Sequence, residues 1–218
     1  MYFGLHAGRG EADTNYTLDL GVVQFTDSFE AKGGLAGAHL GLNVQLGSIV
    51  LGGEFSLSGT SIDGSKSNCF APAPGIGLGI TCSKEDDWLL LAMGRLGFAP
   101  NNSWMVYGTA GWAVAGATTN LNLGPGINPN LFRASAVHDG FAWGLGLEYQ
   151  FSIGHWGKCC NSIVLGLEYL HVDLDEQTHQ GAFGTVRHVS QDLDIIRARI
   201  SIKLDPCTGC GHGHRPLK

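Results

Sequence analysis

Residues 140–151 alternate without a break. Phe141, Trp143, Leu145, Leu147, Tyr149 and Phe151 take every second position, and Ala142, Gly144, Gly146, Glu148 and Gln150 fill the places between. A period of two sends successive side chains to opposite faces of a strand; a helix has no such period. One face of this strand is wholly apolar, with aromatics near both ends. The other is small or polar and carries one charge near its middle. Two kinds of closed sheet accept such a strand. A soluble barrel turns the apolar face inward around a ligand. A barrel in lipid turns it outward and lines its lumen with the small and polar face.

The same alternation recurs along the chain and predicts eight strands: residues 2–7, 34–45, 49–58, 87–99, 103–118, 140–151, 163–174 and 196–204. Apart from the short first strand, each has roughly the length that crosses a bilayer at a tilt. Near Leu170 the phase slips, and a bulge is expected there. The connections alternate in length. Residues 8–32, 59–86, 120–137 and 175–191 are long, with an apolar patch at 18–25 that extends the strands above the membrane. Residues 46–48, 100–102 and 152–161 are short. Outer-membrane barrels show this asymmetry, with short periplasmic turns and long external loops. The predicted fold is therefore all-β: an eight-stranded antiparallel up-and-down transmembrane barrel over residues 1–204, with a Cys/His-rich periplasmic tail over 205–218.

Composition agrees. Charged residues are 15% of the 218, and 34 residues are glycine, whereas soluble domains carry about 25% charge. No run approaches the ~18 apolar residues of a spanning helix, so insertion is expected through strands. A net charge of −6 argues against nucleic acid as a partner. Met1 is followed at once by strand-like residues, so an exported protein is expected here in its mature or trimmed form.

On every strand the apolar face is nearly free of charge, which favours the membrane reading over a lipocalin-like soluble barrel. The expected lumen set is Glu54, Arg95, Glu148, Glu168, Arg197, Arg199 and Lys203, with His39 beside them. Lone buried charges are costly, so these are expected to pair. Eight strands leave room for little but side chains. A plugged lumen is expected, with a narrow channel for ions or small solutes as the alternative.

The stretches 94–98 (GRLGF), 107–113 (YGTAGWA), 143–149 (WGLGLEY) and 167–174 (LEYLHVDL), with the opening 2–8 (YFGLHAG), resemble the small outer-membrane β-barrels of the porin-like, opacity or outer-membrane immunogenic protein family. The resemblance covers nearly the whole chain outside the loops. It implies a Gram-negative outer-membrane location and a role as surface antigen, envelope-stabilising barrel or adhesin; some members bind haem. Family barrels close on an aromatic residue used in assembly. Here Leu204 runs on into Asp205-Pro206-Cys207-Thr208-Gly209-Cys210.

The six cysteines suit an oxidising compartment. Cys69 and Cys82 share one external loop, and a disulfide between them is expected to contribute ~3 kcal/mol through loop entropy. Cys159 and Cys160 fall in the turn that the tail Cys207 and Cys210 can approach. Two readings stand there: disulfides, or a zinc or copper site on Cys207, Cys210, His212 and His214, with His155 as a further ligand. No other cofactor is expected. The histidines at 6, 39, 138, 171, 179 and 188 show no Ser or Asp partner in sequence, and no catalytic constellation stands out. The expected partners are outer-membrane lipid and, through Phe29, Leu131, Phe132 and Phe183 of the loops, other envelope proteins or neighbouring barrels.

Overall fold

The computed structural model describes residues 1–19, 24–67, 81–101, 103–122, 133–156, 159–180 and 186–205. It contains eight strands: β1 (Tyr2–Asp19), β2 (Gln24–Leu46), β3 (Ile49–Ser67), β4 (Thr81–Phe98), β5 (Trp104–Asn122), β6 (Arg133–Trp156), β7 (Cys159–Gln180) and β8 (Val186–Asp205). Each pairs antiparallel with the next, and β1 pairs with β8, from Tyr2 opposite Lys203 to Asp19 opposite Val186, so the sheet closes on itself. At one end lie tight turns. Gly47 takes φ +65 between β2 and β3, and the Asn101 side chain accepts from the Ser103 and Trp104 amides between β4 and β5.

Alternation decides which side of the wall each residue takes. Leu42, Leu57, Leu96, Trp112, Leu145 and Leu167 point outward and are each more than half exposed, while Glu54, Arg95, Glu148 and Glu168 are buried inside. Aromatic side chains flank this apolar belt on β4–β7. Trp104, Tyr149 and Phe151 stack edge to face at the turn end, with ring centroids 4.5 Å apart in both pairs. Trp143 meets Tyr169 at the loop end.

The strands are 18 to 24 residues long, about twice the span the sequence suggested. Much of the expected loops 8–32, 59–86, 120–137 and 175–191 is paired strand; Thr14 faces Phe29 and Tyr16 faces Asp27, for example. The backbone ladder needs no apolar face once it leaves lipid, so polarity there marked the membrane boundary and not the strand end. Cys159 and Cys160 likewise begin β7, opposite Trp156 and His155, and do not lie in a turn.

The expected bulge at Leu170 is absent. β6 and β7 pair in continuous register from Gly140↔Leu174 to Ser152↔Ser162, and the shift between β7 and β8 falls between Leu174 and Gln177. Leu170, Val172 and Leu174 point inward and are buried. They looked out of phase because the loop end of the lumen is apolar. Leu35, Ile62, Leu89, Leu91, Met93, Leu193 and Ile195 complete that layer with five alanines.

Candidate functional site

Below the apolar layer the lumen holds charge. Glu54 on β3, Arg95 on β4, Glu148 on β6, Glu168 on β7 and Arg197 and Arg199 on β8 converge from five strands. Arg95 donates from Nη2 to Glu148 at 2.5 Å and lies 3.4 Å from Glu54. Arg197 donates from Nε to Glu168 at 2.5 Å and reaches Glu54 at 3.5 Å. Arg199 bridges Glu168, at 2.9 Å, and Glu54. Three carboxylates thus face three guanidinium groups, and every member is at least nine-tenths buried. Buried charge is tolerable when each ion meets opposite charge at this range; among the guanidinium nitrogens, Arg95 Nε and Arg199 Nε are buried without a hydrogen-bond partner.

Two tyrosines that the sequence reading passed over complete the network. Tyr2 donates to Glu54 at 2.7 Å and accepts from Arg95 at 2.6 Å. Tyr107 donates to Glu168 at 2.8 Å, and the Arg95 guanidinium sits 3.8 Å from its ring centroid, a cation–π contact. Each ring lies across an inward glycine. A Cβ on Gly41 would meet the Tyr2 ring at 2.3 Å, and one on Gly146 would meet Tyr107 at 2.2 Å. The signal was available: both tyrosines occupy the inward phase, opposite glycines. Tyr107→Phe is expected to cost about 1.5–3 kcal/mol, the worth of a hydrogen bond to a charged group, read as a lower temperature of heat modification with the folded band retained.

His39 is not beside the charges alone. Its ring stacks on His6 with centroids 5.6 Å apart. His6 Nε2 pairs with Ser58 Oγ and His39 Nε2 with Ser201 Oγ, both at 2.8 Å. On the outer face, His171 Nδ1 meets Asp194 at 2.8 Å. The expectation that the histidines lack Ser or Asp partners therefore fails for these three. Their partners lie 52, 162 and 23 residues away in sequence: Asp194 stands opposite His171 in the β7–β8 pair, Ser58 reaches His6 across β2, and Ser201 meets His39 only through the β1–β8 closure. Lys203 sits nearer the turn end and donates to Gln150 at 3.3 Å. Beside it a cavity of about 10 Å³, lined by Tyr2, Asn43, Met105, Glu148, Val164, Ser201 and Lys203, has room for about one water.

At the loop end, outside the belt, Lys32 bridges Glu30 at 3.2 Å and Glu11 at 3.5 Å. These carboxylates, Glu30 first, raise its pKa above the ordinary lysine value. Cys69, Cys207, Cys210, His212 and His214, and Leu131, Phe132 and Phe183, lie outside the described residues, as do the side chains of Phe29, Cys82, His155, Cys159 and Cys160. Among the described residues no group of three or more His, Cys, Asp or Glu is placed to hold a metal.

A closed antiparallel barrel with an apolar exterior and a charged, filled interior defines a membrane-spanning β-barrel, the inside-out form of a soluble one. The chain belongs to the family described as the outer membrane protein beta-barrel domain, whose model matches residues 1–189, and it is an outer-membrane protein. It is 30% identical over 148 residues to the 31 kDa outer-membrane immunogenic proteins of Brucella melitensis and Brucella suis, a match covering 67% of this chain and 56% of theirs. The chain thus spans little more than half the length of these relatives. Among solved structures it is similar to Ail, the attachment invasion locus protein of Yersinia pestis (TM-score 0.38, 12% identity, 91% of this chain and 98% of that one). It is also similar to Neisserial surface protein A (TM-score 0.33, 10% identity, 91% and 96%).

Proposed function

We propose that this barrel is a closed structural and surface-interaction protein of the outer membrane, with its chain ends and tight turns toward the periplasm and the four loop-bearing hairpins facing outward. The observation that carries this reading is the double filling of the lumen. A neutral network of six charges is stacked beneath an apolar layer in which no residue is more than 6% exposed. An ion entering from either side meets a layer that offers it nothing: formed ion pairs at one level, hydrocarbon at the next. The immunogenic character of the Brucella relatives supports a role at the cell surface. No enzymatic step belongs to this reading.

The test is single-channel recording in planar bilayers on material whose electrophoretic band shifts on boiling. Silence from heat-modifiable protein is expected, whereas discrete conductance steps would move the function to transport. The partner contacts are tested in intact cells by replacing residues 123–132 with a short Gly-Ser turn. The barrel is expected to keep its heat shift and lose crosslinks to neighbouring envelope proteins; unchanged crosslinks would remove that loop from the interaction surface.

A further inference from the structure

The outer wall is not uniform around its circumference. On β8, β1, β2 and β3 four small residues stand side by side: Ala198 opposite Ala7, Ala7 opposite Ala36, and Ala36 opposite Gly59. At strand spacing this shelf is ~14 Å wide. Toward the turn end it opens into an apolar groove of about 740 Å³ walled by Phe3, Leu5, Leu40, Phe55, Leu57 and Ile200, within the ~300–1,000 Å³ typical of ligand clefts.

Two further observations indicate what fills it. Among the described side chains the loop-end aromatics lie elsewhere, at Trp88, Trp112, Phe141, Trp143 and Tyr169 on β4–β7; the rows just above the shelf on this face offer Ile196, Arg9, Gly34 and Ser61. Among the described residues, no aromatic anchor stands at the level of Arg9 where the wall is recessed. Arg9 is the second observation. It points outward, exposed, in the row directly above the shelf, where the apolar belt ends on β1, and it has no ion-pair partner among the described residues. An arginine at the headgroup level over an unfilled hydrocarbon trough matches an amphiphile whose chains occupy the trough and whose phosphate meets the guanidinium.

We propose that the β8–β1–β2–β3 face binds one phosphate-bearing, multi-chain lipid of the outer leaflet, with an acyl chain lying in the groove and a phosphate on Arg9. A second copy of the chain fits this face less well. A two-fold interface sets a patch against itself, bringing Arg9 toward Arg9. It also brings together the carboxylates above, where Asp13 already faces both Asp192 and Glu30. Those same carboxylates repel phosphate and confine the headgroup to the level of Arg9.

The test uses the full chain, heat-modifiable in detergent, with hexa-acylated bisphosphorylated lipid A as probe and native mass spectrometry as readout. One lipid retained per barrel is expected. Arg9→Gln should weaken retention at least about tenfold, the worth of one charge-assisted bond. Ala36→Leu, which raises the shelf and leaves the charge, should weaken it as well. Gly108→Leu on the opposite wall should not. Equal retention by wild type, Arg9→Gln and Ala36→Leu would overturn the site. So would efficient Ala7→Cys to Ala7→Cys crosslinking between barrels in lipid, since the face would then be an interface between copies. The heat shift of each variant reports folding independently of retention.

Discussion

Replacing Arg199 with methionine is expected to destabilise the barrel by about 3–5 kcal/mol, the cost of leaving a buried charge without its partner. Arg199 bridges Glu54 and Glu168, and it also donates to the Tyr107 hydroxyl at 3.3 Å. Methionine preserves much of the stem volume, so the loss is electrostatic and not a cavity. The network then holds three carboxylates against two guanidinium groups. Adding Glu168→Gln restores neutrality, and the double variant should recover part of the loss. That non-additivity identifies compensation within one network as the cause. The measurement is the temperature, or the urea concentration, at which the heat-modifiable band is lost. Equal stability of wild type and Arg199→Met would mean that water or ions screen the lumen well enough for single charges to stand alone there. The plug would then be open to conduction.

Leu145→Arg is the second substitution expected to act strongly. Leu145 lies at mid-belt on β6, flanked across the strands by Gly108 and Tyr169, and is 61% exposed. In a soluble barrel an exposed leucine changed to arginine alters stability by no more than ~0.5 kcal/mol. On a lipid-facing wall at the midplane the cost is ~2–4 kcal/mol, and it falls toward zero at the interface. Asp139→Arg, six residues along the same face and at the rim of the belt, should therefore be nearly silent. A depth-dependent pair of results in refolding titrations into lipid vesicles maps the belt directly. Equal effects at both positions would contradict the assigned orientation of the wall.

The fold was legible because the outward phase is chemically simple. Residues 140–151 read as a strand on sight, and the lipid-facing assignment followed once the same charge-free apolar phase recurred on all eight strands, since lipid asks only that every second residue be apolar. The inward phase was legible only where it was polar. Glu54, Arg95, Glu148, Glu168, Arg197 and Arg199 stood out as charges in otherwise apolar strands, and they occupy one network. Leu170, Val172 and Leu174 did not stand out as lumen residues, because at that level the polarity of β7 inverts: the inward residues are apolar while His171 and Asp173 on the outward side are polar, and the inversion reads in sequence as a slip of phase. The extent of the strands was hidden for the opposite reason. Above the belt both faces accept polar residues, so Glu11 or Lys32 carries no mark that separates ladder from loop. The His6–Ser58 and His39–Ser201 pairs could not be read at all, because they exist only where β8, β1, β2 and β3 stand together.

The distribution of the lumen charges among the strands bears on the order in which the barrel comes together. β8 is the last of the described strands, and it alone supplies both Arg197 and Arg199. A sheet of the first seven strands holds Glu54, Glu148 and Glu168 against Arg95 alone. Such a sheet has an open edge and also two uncompensated negative charges on the face that must become its interior. Docking of β8 removes both defects in one event. A seven-stranded sheet therefore carries two costs into hydrocarbon, unpaired backbone and unpaired charge, and the same strand that completes the ladder completes the charge balance.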